Sequence, residues 1–152
     1  KQRRFIVNII YEADDNIPLN TALIKTNSNY EDLHGFLEYT KSYNNEFKVK
    51  KDNNIYLIAV TKFIRFYSGA KSVYAQTAEA EFHISKRLYE LEESLPMQFV
   101  RVSHSEIINL DYVSHFSLSA GGIINITFKN GTKTSSSRRY LKKIKEVLYH
   151  EK

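Results

Sequence analysis

The sequence predicts a mainly β protein of packed antiparallel sheets, preceded by a small β/α segment. The first observation is a change of period near residue 46, after which apolar and polar residues alternate in short runs. The second is that turn dipeptides separate these runs, among them Asp52-Asn53, Ser68-Gly69 and Asn130-Gly131. The third is the length of 152 residues, which is close to that of one ordinary domain. We therefore expect one main antiparallel domain.

The first 46 residues predict an extension made of strand and helix. Arg3–Tyr11 is rich in Ile, Val and aromatic residues and predicts a strand, and Thr21–Thr26 predicts a weaker one. Residues 29–43 carry a helical apolar stripe that begins with a capping box. We place a domain boundary between 1–46 and 47–149. Because the extension buries too little surface to fold alone, we expect it to pack on the β domain or on a second copy of the chain.

The alternating runs beyond residue 46 predict the strands of an antiparallel sheet. In chain order they are Phe47–Lys51, Asn54–Val60, Lys62–Tyr67, Ser72–Thr77, Glu81–Ile84, Phe99–Val102, Ile107–Asn109, Tyr112–Leu118, Ile123–Phe128 and Thr132–Thr134. Asn130-Gly131, between the last two, is the strongest short hairpin signal in the chain.

Two helices are predicted within this domain. Ser85 is the expected N-cap of the first, and Pro96 ends it. Its apolar stripe consists of Leu88, Leu91 and Leu95. The second helix is expected over Ser137–Tyr149, with its apolar side toward the core. That side carries Leu141, Ile144 and Leu148.

The net charge of +5 lies entirely at the C-terminal end of the chain. Residues 131–152 contain seven Lys or Arg and two Glu, so the preceding 130 residues are neutral in sum. A concentrated basic end is typical of a protein whose partner is a polyanion, with nucleic acid first and an anionic membrane surface second. The alternative is a solvated basic helix without a partner.

Catalysis finds little support in the sequence. The chain has no Cys, which excludes disulfides, thiolate chemistry and sulfur-bound metals and fits a reducing cytosol. Its five His lack metal-ligand spacing, and neither a phosphate-binding Gly loop nor a nucleophile elbow occurs. Glu92 and Glu93 fall on the exposed side of a predicted helix, where we expect solvated surface. We therefore expect no enzyme, no metal or catalytic residue and no cofactor.

The lengths of the apolar runs also indicate where in the cell the protein is located. Each is far shorter than the ~20 residues that a membrane-spanning helix requires. No signal-peptide core follows the basic residues at the start of the sequence. We therefore expect a cytoplasmic protein.

Two arginines at the start of the last predicted helix are the first candidate site. Arg138 and Arg139 follow Ser137 there, although cations in a first turn face the positive end of the helix dipole. A bound anion would remove this conflict, because a Ser cap, free N–H groups and two Arg can clamp a phosphate. An Arg in a DNA groove can also bind guanine through two hydrogen bonds. Lys142 and Lys143, within the helix, could reach phosphates, and the alternative is that these cations pair with acidic surface groups.

The polar turn Ser103-His104-Ser105 is the second candidate site. It separates two predicted strands and has no packing role in the sequence pattern, so it could offer donors to phosphates or base edges. Asn109, a few residues further on, is expected to hydrogen-bond the backbone rather than a ligand.

Taken together and in this order, four blocks resemble the LytTR family of bacterial DNA-binding domains. They are IYLIAVTKFIRFYS (55–68), KRLYELEESLP (86–96), FVRVSHSEIINLDYV (99–113) and ITFKNGTKTSSSRRYLKKIKEVL (126–148). The resemblance covers about residues 47–149. Its last two blocks are jointly specific, whereas the first two are generic.

The resemblance implies a transcription regulator with a mainly β fold that contacts consecutive major grooves of double-stranded DNA through loops. It further implies paired direct-repeat sites and a homodimer, at least on DNA. The DNA contacts that the resemblance implies fall on Lys71, Ser72, Ser103, His104, Ser105, Arg138 and Arg139. We add Arg101, Ser137, Lys142 and Lys143, which stand beside these residues, to the predicted DNA-binding set. The family usually shows Arg-x-His-x-Ser in the middle block, whereas here the His stands one place later. We expect this departure to change base specificity rather than DNA binding itself.

The extension of residues 1–46 is too short for a phosphoacceptor receiver domain. The chain therefore resembles the receiver-less branch of the family, which implies control by a partner membrane protein. An alternative function is a module for another polyanion, either RNA or an acidic membrane surface. The 20 Phe and Tyr residues keep single-stranded RNA open, because bases stack on exposed aromatic rings.

Overall fold

The computed structural model describes residues 10–19, 21–27, 29, 37 and 45–148. The strands in the described residues are β1 (Glu46–Lys51), β2 (Asn54–Ala59), β3 (Phe63–Ser68), β4 (Val73–Thr77), β5 (Glu81–Ile84), β6 (Phe99–Ser103), β7 (Glu106–Asn109), β8 (Val113–Leu118), β9 (Ile124–Phe128) and β10 (Lys133–Ser135). The α-helices are α1 (Leu88–Ser94) and α2 (Leu141–Leu148). Short 3-10 turns occupy Val60–Lys62, Leu110–Tyr112 and Arg138–Tyr140.

The strands form two antiparallel sheets. The larger has seven strands in the order β2-β1-β5-β4-β3-β7-β6, and the smaller has three in the order β10-β9-β8. Every strand predicted beyond residue 46 is present, and no strand end differs from its predicted position by more than one residue. The prediction of a mainly β fold of packed antiparallel sheets is therefore confirmed.

Two hairpin turns follow from their residue types. Asp52 and Asn53 have φ of 51° and 68°, the left-handed conformation that a two-residue hairpin loop requires. Gly131 has φ of 89°, and the side chain of Asn130 accepts a hydrogen bond from the Thr132 N–H at 3.0 Å. Both turns were predicted from the sequence.

The protein has two hydrophobic cores, and three strands contribute to both. Phe66, Ile107 and Leu91 belong to the core under α1, whereas Ile108 and Ile144 belong to the core between β7, the small sheet and α2. Strands β6 and β7 are buried almost throughout, because adjacent residues point alternately into the two cores. The turn that joins β6 to β7 is therefore attached to two strands that are packed on both faces.

Several predictions about the helices were wrong in detail. The first helix begins at Leu88 with Arg87, not Ser85, in the cap position, and the Glu90 carboxylate accepts a hydrogen bond from the Arg87 N–H at 2.9 Å. Leu95 lies just beyond this helix, yet it still packs against the core. The last helix starts with a 3-10 turn, a common feature of helix ends. Its predicted core residues, Leu141, Ile144 and Leu148, do belong to the second core.

The N-terminal predictions are only partly covered. The strand predicted at Arg3–Tyr11 lies outside the described residues except for positions 10 and 11, which are irregular. The weaker strand predicted at Thr21–Thr26 was wrong, since that backbone is irregular. Of the helix predicted over 29–43, only residues 29 and 37 are described. Within the described part of the chain, no helix is long and apolar enough to cross a membrane.

Asn109 joins the end of β7 to the start of β3. It is fully buried, its side-chain amide donates to the Phe63 carbonyl at 2.9 Å, and its side-chain oxygen accepts from the Asp111 N–H at 2.9 Å. This confirms the prediction that Asn109 bonds the backbone. The bond to Phe63 ties β7 to its neighbour β3 at the end opposite the β6–β7 turn.

Asn109→Ala should lower the free energy of unfolding by about 2 to 3 kcal/mol, because the buried Phe63 carbonyl and the Asp111 N–H both lose their partner. Urea unfolding followed by circular dichroism measures this loss. Asn125→Ala, at an exposed position of β9, is the control and should stay within about 0.5 kcal/mol. Equal losses for the two variants would contradict the role given to Asn109.

Candidate nucleic-acid interface

The β6–β7 turn is the centre of the candidate interface. The Ser105 N–H donates to the Ser103 hydroxyl at 3.2 Å, and the two hydroxyls lie 3.4 Å apart. His104 and Ser105 are exposed and Ser103 is half-buried. The turn therefore presents a His and two hydroxyls to solvent in a fixed local arrangement.

The loop between β3 and β4 lies directly beside this turn. The Ser68 N–H donates to the Ser105 carbonyl at 2.9 Å, and the Gly69 N–H donates to the Ser72 carbonyl at 2.8 Å. Lys71, in the same loop, is exposed. Two candidate segments that are more than thirty residues apart in sequence are thus joined by a backbone hydrogen bond.

A close approach fixes the β3–β4 loop. A Cβ at Gly69 would lie 2.6 Å from the ring of Tyr74, so this position requires glycine or a displaced ring. Tyr74 in turn stacks on Tyr67 and contacts His83, with ring centroids 5.3 and 4.7 Å away. Burial and a hydrogen bond with Glu81 raise the pKa of Tyr67 to about 12, so its hydroxyl stays protonated at neutral pH.

The third candidate segment reaches the same turn from the other side. The Ser137 N–H donates to the Val102 carbonyl at 2.9 Å, along the free edge of β6. Ser136 is buried, and its hydroxyl accepts from the Ile124 N–H at 3.2 Å. This anchors the segment to both sheets and leaves Arg138 and Arg139 exposed.

The predicted Ser cap of the last helix is not formed. Ser137 occupies the cap position of the 3-10 turn, but its side chain makes no capping hydrogen bond. The 3-10 turn carries both arginines ahead of α2, so they are not in the first turn of the α-helix itself.

Arg101 binds the β6–β7 turn from its buried side. The side chain is only 8% exposed, and its guanidinium donates to the Ser103 carbonyl at 3.0 Å and to the His104 carbonyl. It also donates to Glu92 at 3.1 Å. Sequence reasoning grouped Arg101 with the DNA-contacting residues, and in the structure its guanidinium is bonded to the turn and to Glu92.

Glu92 was expected to be solvated, and this was wrong. Its carboxylate lies between Arg101 and the Lys143 ammonium, at 3.1 and 2.9 Å. The hydrogen bond from Lys143 and that from Arg101 hold the pKa of Glu92 below its usual value. Lys143, predicted to contact phosphate, is therefore already paired, although it is exposed like the neighbouring Lys142.

Glu106 is a second positioning group that sequence reasoning missed. It is buried, and its carboxylate accepts from the Arg65 guanidinium at 3.0 Å and from the Thr134 hydroxyl. Thr134 belongs to the small sheet and Arg65 to the large one, so Glu106 links the sheets at the first residue after the turn. A charged residue at the end of an otherwise apolar strand, Glu106-Ile107-Ile108, was the signal in the sequence.

The LytTr DNA-binding domain model matches residues 53–149, which is most of the β domain. The chain belongs to the LytTr DNA-binding domain family. The match begins just before β2 and includes all three segments that meet at the β6–β7 turn. The resemblance noted from the sequence is confirmed.

Curated relatives of this LytTr domain come from Staphylococcus aureus. Two of them, from strains NCTC 8325 and MRSA252, are 44% and 43% identical over 97 residues, which is 64% of this chain and 66% of theirs. Both carry the name uncharacterized HTH-type transcriptional regulator. The chain thus matches just under two-thirds of the length of these relatives.

One solved structure shares the fold of this LytTr domain. The LytTr DNA-binding domain of a methyl-accepting/DNA response regulator from Bacillus cereus matches with a TM-score of 0.66 at 19% identity. The match covers 68% of this chain and 95% of that one. At this identity the similarity shows the fold alone. Five strands separate α1 from α2 in the described residues, so these two helices do not form a helix-turn-helix.

Glu92→Gln should destabilise the LytTr domain by about 1 kcal/mol at neutral pH, because the buried Arg101 loses its counter-charge. The pKa of Glu92 is lowered on folding, so its contribution is present above the ordinary Glu value of about 4.3 and is lost as pH falls through the lower folded value. The difference between wild type and variant should therefore shrink below about pH 4. Urea unfolding at several pH values tests this.

Glu93→Gln changes the exposed neighbour and is the control, with little effect expected at any pH. A difference between wild type and Glu92→Gln that stays constant down to pH 3 would contradict the ion-pair interpretation.

Proposed function

We propose that this LytTr domain binds double-stranded DNA in a sequence-specific manner and regulates transcription. One observation carries the proposal. Three loops that are distant in sequence meet at the β6–β7 turn, which the buried Arg101 holds, and each carries exposed groups of a kind that can hydrogen-bond phosphates or base edges. The basic helix α2 follows directly from the third loop, so positive charge lies beside these groups.

Loops rather than a recognition helix would enter the major groove. Helix α2 packs through Ile144 against the second core, and its Lys143 is paired with Glu92. The exposed residues at this site include His104 of the β6–β7 turn and the two arginines that follow Ser137. An Arg in such a position can bind the O6 and N7 atoms of guanine together, and we assign this role to Arg139.

The remaining candidates would position the domain on the DNA. Lys71, Ser72 and Lys142 are suited to phosphate contacts, since an ammonium or hydroxyl rarely forms a planar two-bond contact with a base. Ser103, His104 and Ser105 would face base edges or phosphates in the same groove. Arg101 would act through the turn that it holds.

The assembly on DNA is also proposed. The relatives in Staphylococcus aureus are named transcriptional regulators, and the family resemblance implies paired direct repeats bound by two copies of the chain. We further propose that a membrane-protein partner controls the regulator. Residues 1–46, outside the matched domain, are the part of the chain available for dimer contacts or for such a partner.

DNA affinity should fall steeply with salt, because a site that uses roughly four to six cations releases a similar number of counterions. Between about 50 and 200 mM salt we expect a loss on the order of 10² to 10³-fold. Fluorescence anisotropy on a duplex selected from a random pool, and on a scrambled duplex of the same length, measures it. An affinity that hardly changes with salt on either duplex would contradict the proposal.

Arg139→Ala should reduce discrimination between the selected and the scrambled duplex by about 1 to 3 kcal/mol, because it removes a base contact. Lys142→Ala is the matched variant, since it removes an exposed cation three residues away without a base contact. It should weaken both duplexes alike. If Arg139→Ala also weakened both equally, Arg139 would be a phosphate contact and the assignment of base readout would be wrong.

A further inference from the structure

A second basic surface lies on the other side of the β3–β4 loop from the β6–β7 turn. It is an open cleft of about 500 Å³ between this loop, β1, β5 and the segment that leads into α1. Its cations are Lys50, Lys71, Lys86 and Arg87, with His83 beside them, and all five are exposed. We name this surface the flanking groove.

The flanking groove is uniformly basic although residues 1–130 are neutral in sum. Among the described residues that line it there is no Asp or Glu. The nearby Glu90 carboxylate accepts a hydrogen bond from the Arg87 backbone N–H, and Glu81 is hydrogen-bonded with Tyr67. Four cations and a His thus share one concave surface without an acidic partner in its lining, which concentrates a positive potential there.

The flanking groove is continuous with the candidate interface. Ser68 lines the groove and also donates to the Ser105 carbonyl of the β6–β7 turn. Lys71 and Ser72 line it as well, and both are already candidates for DNA contact. A polyanion that leaves the β6–β7 turn in this direction would therefore meet the groove at Ser68 and Ser72, next to Lys71.

The lining favours an extended phosphate backbone over an enclosed small molecule. Small-ligand sites are mostly apolar cavities with a few fixed polar groups, whereas this cleft is open and lined mainly by long cationic and small polar side chains. Lys and Arg side chains of this kind bind phosphate oxygens without regard to sequence.

We propose that the flanking groove binds the sugar–phosphate backbone of the DNA flank next to the site contacted by the β6–β7 turn. This inference rests on the proposed function, and it adds a second, sequence-independent contact that extends the footprint in one direction. The groove contributes affinity and salt dependence, whereas base discrimination stays with the β6–β7 turn and Arg139.

The test compares a double variant, Lys86→Gln with Arg87→Gln, with a control double variant, Lys62→Gln with Lys129→Gln. The control removes two exposed cations at the opposite end of the strands. Gln preserves most of each side-chain stem, and the backbone N–H of Arg87 keeps its bond to Glu90. Circular dichroism checks that the first groove variant is folded. If it is not, a second groove variant, Lys50→Gln with Lys71→Gln, replaces it.

The groove variant should weaken the selected and scrambled duplexes by the same factor. Its slope of log affinity against log salt should fall by about two, because two phosphate contacts are lost. Shortening the selected duplex by half a turn on one flank should weaken the wild type and leave the groove variant almost unaffected. The control should behave as the wild type in all three measurements.

The inference is overturned if the groove variant keeps the wild-type salt slope, or if the control loses as much. It is also overturned if the variant binds DNA normally but loses binding to phosphatidylserine vesicles, which would make the groove a membrane contact. If the groove variant binds both duplexes like the wild type while Arg139→Ala loses discrimination, the groove inference is wrong and the proposed function still holds. Absence of DNA binding by the wild type removes both.

Discussion

The candidate interface depends on one buried guanidinium. Arg101 donates to the carbonyls of Ser103 and His104 and to the carboxylate of Glu92, so it fixes the turn to which the other loops attach. A guanidinium suits this place because its planar set of donors can satisfy two carbonyls and a carboxylate at once. A lysine there would leave part of the turn without a partner. The exposed residues of the turn are preorganised because the buried Arg101 is bonded to two of the turn's carbonyls.

Strands β6 and β7 are buried on both faces, which holds the turn between them in place. Adjacent residues of these strands enter different cores, one covered by α1 and the other by the small sheet and α2. A shift of one residue in register would exchange the residues of both cores, which is strongly disfavoured. The same arrangement places Glu106 and Asn109 at the two ends of β7, where each carries a polar link to another strand.

The charge of a segment in the sequence and the charge of a surface in the folded protein differ in two places. The C-terminal excess of seven cations over two carboxylates is visible from residue counts, but Lys143 is partly neutralised by Glu92. The flanking groove shows the opposite relation, since it gathers Lys50, Lys71, Lys86 and Arg87 from a stretch of chain whose summed charge is zero. Net charge by segment therefore identified the basic end and missed the basic cleft.

The sequence by itself determined the strands, the hairpin turns at Asp52-Asn53 and Asn130-Gly131, and the family, because alternation, turn chemistry and ordered motifs are local properties. It also identified the three segments that meet in the candidate interface. Only the tertiary structure decided that Arg101 and Glu92 are partners, that Lys143 is paired, and that Lys50 and Arg87 share a cleft with Lys71. These facts depend on which strands become neighbours and on which side chains lose water, and both are set by the packing of distant parts of the chain.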